Sequence, residues 1–155
     1  MSRQAQVLSK GEVEKRVPVW NALSDLFLDT ELDETTHQYI AKVVVESGYS
    51  AQQVHDILWR EVFPAVGDNL RVVAGEWAGF NPDWLKDRIL SVKARNARPL
   101  AGGLISVETL VKMTKHEWSL VCSYMPSEMS EPLLARCEEA YAPLRGNPKK
   151  WWRFW

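Results

Sequence analysis

The chain has 155 residues, of which 46% are hydrophobic, and its formal net charge is −1. This length is typical of one domain with its own core, and a charge so close to zero excludes a global field that would attract nucleic acid or an anionic membrane. No apolar run reaches the roughly 18 residues that a membrane-spanning helix needs, and the N-terminus lacks the apolar core of a signal peptide. We therefore expect a cytoplasmic protein whose Cys122 and Cys137 are reduced and partly buried, with a disulfide as the alternative.

Residues 1–9 contain little to bury and are expected to be disordered, whereas residues 10–155 are expected to form one helical domain. Apolar residues recur at helical spacing from about Gly11 to Asp29 and predict a first helix. Its apolar stripe consists of Val13, Val17, Trp20, Leu23 and Phe27. Pro18 interrupts this stripe, and we favour a short first turn followed by a main helix that begins at Pro18.

A second helix is predicted to begin at a cap provided by Asp33 or Thr35 and to end at Gly48, where glycine can adopt the left-handed conformation of a helix C-terminus. Its β-branched run of three valines could also form a strand, but the caps and the helical period favour a helix. The residues expected to be buried are Tyr39, Ile40, Val43 and Val44.

The third helix, from Ala51 to Phe63, completes a helix–turn–helix. Ser50 can cap it, Gln53 stands where a capping box needs its reciprocal side chain, and Pro64 is predicted to end it.

Beyond this motif, 69–76 is predicted to be a helix rather than a strand, and Asn81 followed by proline predicts a helix from Pro82 to Arg95. Residues 96–103, NARPLAGG, are a candidate internal linker. One or two helices follow between Ile105 and Met125, with a short strand pair near 104–107 as an added feature. A last apolar stripe consists of Leu133, Leu134, Cys137, Ala140 and Tyr141. The fold class predicted is all-α, a compact single domain of about six to seven helices.

Several catalytic and metal motifs begin in the sequence, but none is complete. Asp29, Glu31 and Asp33 alternate like the start of a calcium loop, but Glu34 stands where that loop needs glycine. His116-Glu117 resembles the start of a zinc-protease helix, but the second histidine is absent. There is no phosphate-binding glycine loop and no nucleophile elbow. We therefore predict no catalytic residue, no metal ligand and no cofactor.

The charges are segregated along the chain, since acids dominate from Asp25 to Glu61 and bases dominate from Lys86 to Arg98 and again from Arg145 to Arg153. Solvated helix faces are the simplest explanation. The sharper interpretation is an acidic surface that binds a basic protein, with an exposed tryptophan as anchor. The partner-binding residues that we predict are Asp29, Glu31, Asp33, Glu34, Asp56, Glu61, Trp77 and Trp84.

The middle of the chain, from about Val13 to Leu90, resembles a family of small uncharacterised bacterial proteins, a domain of unknown function. The resemblance is carried by WREVFPAVGDNL, AGEWAGF and NPDWLKDRI. It implies a helical fold and a bacterial source, but it supplies no catalytic residues.

Three functions are compatible with these patterns. By analogy of size and character, the first is an immunity-type protein that neutralises a cognate toxin by covering its surface. The second is a DNA-binding regulator that reads with the helix from Ala51 to Phe63; that helix is not basic, which argues against nucleic acid as a partner. The weakest is an enzyme whose site is assembled only in the fold. The oligomeric state is not predicted by the sequence.

Overall fold

The computed structural model of the protein describes residues 7–71, 78–98, 100 and 105–141; the side chains of residue 71 and residues 138–141 are outside this description. The helices are α1 (Lys10–Ser24), α2 (Glu34–Glu46), α3 (Ala51–Asp56), α4 (Phe63–Val66), α5 (Pro82–Lys93), α6 (Val107–Cys122) and α7 (Ser127–Tyr141). These ranges contain no strand, which confirms the all-α prediction. The strand pair expected near 104–107 is wrong for residues 105–107, because Ser106 caps α6 and Val107 is its first residue.

Helix α1 begins at a capping box in which Ser9 and Glu12 exchange side-chain and backbone hydrogen bonds. The expected break at Pro18 is wrong, because α1 continues through this residue to Ser24 and is followed by a 3-10 turn over Asp25–Phe27. Pro18 lies on the exposed side of α1, while Val19 and Trp20 are buried. Burial of the opposite face therefore offsets the hydrogen bond that proline cannot donate.

Helix α2 confirms the predicted caps at both ends. The Asp33 side chain accepts a hydrogen bond from the backbone N–H of Thr36, and Gly48 has a φ of 79°, the left-handed conformation that glycine adopts at little cost. Ile40 and Val44 are buried, but Tyr39, which we expected in the core, is exposed because the neighbouring His37 and Ala41 occupy the buried face.

The third predicted helix is longer than expected and changes its hydrogen-bond pattern. The capping box of Ser50 and Gln53 is confirmed. After α3 the chain forms a π-helical segment, Ile57–Val62, and then α4, so the predicted end at Pro64 is wrong. Pro64 therefore stands inside a continuous helical rod, and burial of Phe63 and Val66 beside it offsets the hydrogen bond that proline cannot donate.

The core lies where the α3–π–α4 rod meets α1, α5 and α7, and α6 packs against α2 and α7. Its largest side chains are the indoles of Trp20, Trp59 and Trp118. Leu100 is also buried and donates its N–H to the carbonyl of Pro64, so this position of the predicted linker packs on the helical core. Both cysteines are buried and no disulfide joins them, as expected.

Candidate protein-binding surface

An apolar groove lies between α6 and the loop that leads from α1 to α2. Its cavity volume is about 410 Å³. The apolar lining residues are Leu26, Leu28, Leu32, Leu70 and Met113, and the polar ones are Thr30, Glu31, Lys112, His116 and Glu117. The groove therefore has an apolar floor with charged side chains at its edges, as in the centre and rim of many protein interfaces.

One wall of this groove is held in place by a hydrogen bond between two helices. Nε2 of His37, on α2, lies 2.7 Å from Oε2 of Glu117, on α6. His37 is buried, whereas Glu117 retains contact with solvent and lines the groove. This contact fixes α6 against α2 and fixes the carboxylate at the edge of the groove.

An apolar stripe continues from the groove along α6 and into the turn that follows this helix. Met113, Leu120 and Tyr124 are exposed to 42%, 37% and 42%. Met113 belongs both to the stripe and to the lining of the groove. The Tyr124 end of the stripe lies beside Glu34, whose carboxylate raises the pKa of the tyrosine hydroxyl after the larger effect of partial desolvation.

Four of the predicted partner-binding residues lie next to this groove. Asp29, Glu31, Asp33 and Glu34 are exposed within six residues of the loop and the first turn of α2. Glu31 lines the groove itself. Backbone and side-chain hydrogen bonds from Thr36 lower the pKa of Asp33, which keeps this carboxyl ionised. We call these four residues the acidic loop.

Asp56 and Glu61 lie elsewhere. Asp56 is on α3, which packs against α7, and its carboxylate is 3.7 Å from Nε of Arg60.

Glu61 lies inside the protein, in the π-helical segment, with a side chain only 4% exposed. Its carboxylate accepts hydrogen bonds from Nη1 of Arg16 (2.8 Å), Nζ of Lys93 (3.0 Å) and Nε1 of Trp20 (2.9 Å). It therefore connects α1, α5 and the π-helical segment and is not part of the surface formed by the acidic loop.

The two predicted tryptophan anchors have different outcomes. Trp84 is 50% exposed on α5 and stacks on Phe80 with the ring centroids 5.8 Å apart. Trp77 is outside the described residues.

The exposed apolar residues on α6 were missed by sequence reasoning, although the mixed spacing of apolar residues between Ile105 and Met125 was a signal that this helix has two apolar faces.

The fold and this surface define a small, all-helical domain with an acid-rimmed apolar groove. The chain belongs to a family described as a domain of unknown function (DUF7079), which matches residues 14–124 and so covers most of the chain. This confirms the resemblance to a domain of unknown function and extends it from Leu90 to Tyr124, through α6. No curated protein and no solved structure matches the chain. In the described residues, no helix is long and apolar enough to cross a membrane.

Proposed function

We propose that this protein is a bacterial immunity-type protein, which binds a cognate toxin domain and neutralises it by covering its surface. The observation that carries the proposal is the apolar groove bordered by the acidic loop. An apolar centre surrounded by charges is the arrangement that gives protein interfaces both affinity and orientation.

The acidic loop favours a basic partner. Asp29, Glu31, Asp33 and Glu34 follow one another without an intervening base, and Glu117 adds a carboxylate at the opposite wall of the groove. A toxin domain that acts on nucleic acid needs a basic surface to bind phosphates. Such a surface is complementary to the acidic loop, and covering it would block the substrate.

The proposal is tested by expressing the chain together with the toxin encoded by the neighbouring gene. We expect growth to be restored and a stoichiometric complex to be recovered. Replacing Glu31 and Glu34 together by lysine should slow association by about tenfold at low salt, since complementary charges act mainly on the association rate. The matched control replaces Asp83 and Asp87 on α5, which are also exposed, together by lysine; it changes the net charge equally and should leave association unchanged.

Failure to bind or protect against any toxin encoded beside it would refute the proposal. Salt-sensitive retention of the protein on DNA would instead support the helix–turn–helix alternative.

A further inference from the structure

The exposed apolar side chains of α6 are spaced like one face of a helix-binding site. Met113, Glu117 and Leu120 follow the i, i+4 and i+7 positions that share one face of α6, and Tyr124 lies in the turn directly after the helix. At a rise of about 1.5 Å per residue, the helical part from Met113 to Leu120 is about 10 Å long, or roughly two helical turns, and Tyr124 lies beyond its C-terminal end.

The groove extends this stripe at its Met113 end. Met113 lines the groove together with Leu28 and Leu70, which come from two other parts of the chain. The groove and the stripe therefore form one apolar track that runs along the axis of α6. Side chains form this track, not unpaired strand edges, so it suits the side chains of a helix better than an added strand.

Carboxylates stand along the track. Glu31 and Glu117 lie at the groove, and Glu34 lies beside Tyr124 at the other end. Lys112 is the cation among the described lining residues, and it is paired with Glu108 at 3.9 Å. An occupant with lysine or arginine on either side of its apolar face would therefore find complementary charge over the whole length.

We propose that the groove and the α6 stripe bind an amphipathic helix of the partner protein, with apolar residues at i, i+4, i+7 and i+11 and basic residues beside them. The inference rests on the proposed function, because it specifies the chemistry of the partner segment that the surface receives. The centre of the interface is then Met113 and Leu120, and the acidic loop is its rim.

The test uses the full-length protein and a fluorescein-labelled synthetic peptide of about five helical turns. Its leucines recur at i, i+4, i+7 and i+11, lysines stand beside them, and alanines fill the other positions. A peptide of the same composition, scrambled so that the leucines share no face, is the control. Fluorescence anisotropy should show that the periodic peptide binds at least about tenfold more tightly, a difference of about 1.4 kcal/mol.

Leu120→Lys should weaken binding of the periodic peptide by about tenfold, as expected when a central apolar contact becomes a charge facing lysines. The matched control is Leu134→Lys on α7, because Leu134 is exposed to a similar extent, 41%, and lies outside the track. Its binding should equal that of the unmodified protein. Thermal melts of both variants establish that they are folded.

Equal binding to the Leu120→Lys variant, or no preference for the periodic peptide, would overturn the inference. A concentration-dependent dimer that Leu120→Lys dissociates would overturn it as well, because a second copy would then be the occupant. Peptide binding that appears only after Trp151, Trp152 and Trp155 are replaced by serine would also overturn it, in favour of the C-terminal sequence of the chain. If the Leu120→Lys variant still neutralises the toxin, this inference fails and the proposed function stands. If the unmodified protein binds the periodic peptide but does not neutralise the toxin, the proposed function fails and the helix-binding site stands.

Discussion

The buried carboxylate of Glu61 should be one of the largest polar contributions to the stability of this fold. It is shared by Arg16, Lys93 and Trp20, so replacement by alanine leaves two cations without their counter-charge and an indole N–H without its acceptor. Removing one partner of a fully buried ion pair costs about 3–5 kcal/mol. The side chains of Arg16 and Lys93 are about one fifth exposed, so water can hydrate the two cations and reduce this cost. We therefore expect Glu61→Ala to lower the free energy of unfolding by about 3 kcal/mol.

For a domain of this size, such a loss corresponds to a decrease in Tm of roughly 6–12 °C. Urea denaturation followed by circular dichroism measures the free energy of unfolding directly. Glu61→Gln keeps an acceptor for Trp20 but removes the charge, and it should fall between the alanine variant and the unmodified protein. Asp56→Ala is the control, because its ion pair with Arg60 is solvent-exposed and should contribute about 0–1 kcal/mol. A Glu61→Ala variant that loses no more than this control would refute the reasoning.

Three further predictions concern local features of the structure. Gly48→Ala should lower the free energy of unfolding by about 1–2 kcal/mol because of its positive φ. Gly11→Ala, in the first turn of α1 with open space around it, should instead raise it by up to about 0.5 kcal/mol. Urea denaturation that gives both changes the same sign would contradict this. Burial raises the pKa of the Cys122 thiol to about 12, so a thiol reagent at pH 8 should modify this cysteine only after the protein unfolds. Rapid labelling of Cys122 in the native protein would contradict this prediction. The hydrogen bonds from Thr36 lower the pKa of Asp33 below its ordinary value of 3.8. Its contribution to stability is therefore complete above that pH and is lost as the pH falls through the lower folded-state pKa. Thermal melts of Asp33→Asn across this pH range should lack this contribution, and an acid sensitivity equal to that of the unmodified protein would contradict the prediction.

The helix ends that depend on neighbouring residues could be predicted from the sequence. Ser50 with Gln53, and Asn81 before Pro82, provide hydrogen-bond acceptors within three residues of the groups they cap, and Gly48 ends its helix through its own backbone freedom. Such interactions are complete within one turn, so sequence alone determines them.

Proline misled the prediction at two positions for a reason that is not local. Pro18 and Pro64 were expected to begin or end helices, yet α1 continues through the first and the α3–π–α4 rod through the second. The free energy that holds these helices together comes from burying Trp20 and Phe63 in the core, and tertiary packing commonly outweighs local propensity.

The acidic loop was determined by the sequence, because four carboxylates within six residues must lie near one another in any fold. The groove beside it could not be foreseen, since residues from Leu26 to Leu32, Leu70 and Met113 to Glu117 become neighbours only when α6 packs beside the loop. The burial of Glu61 could not be foreseen either, because the sequence does not distinguish it from the other acids between Asp25 and Glu61. Its cations and its indole partner lie 45, 32 and 41 positions away, and a carboxylate is stable inside a protein only where such partners converge on it. Sequence therefore determined which charges this protein carries, and tertiary packing decided which of them face solvent.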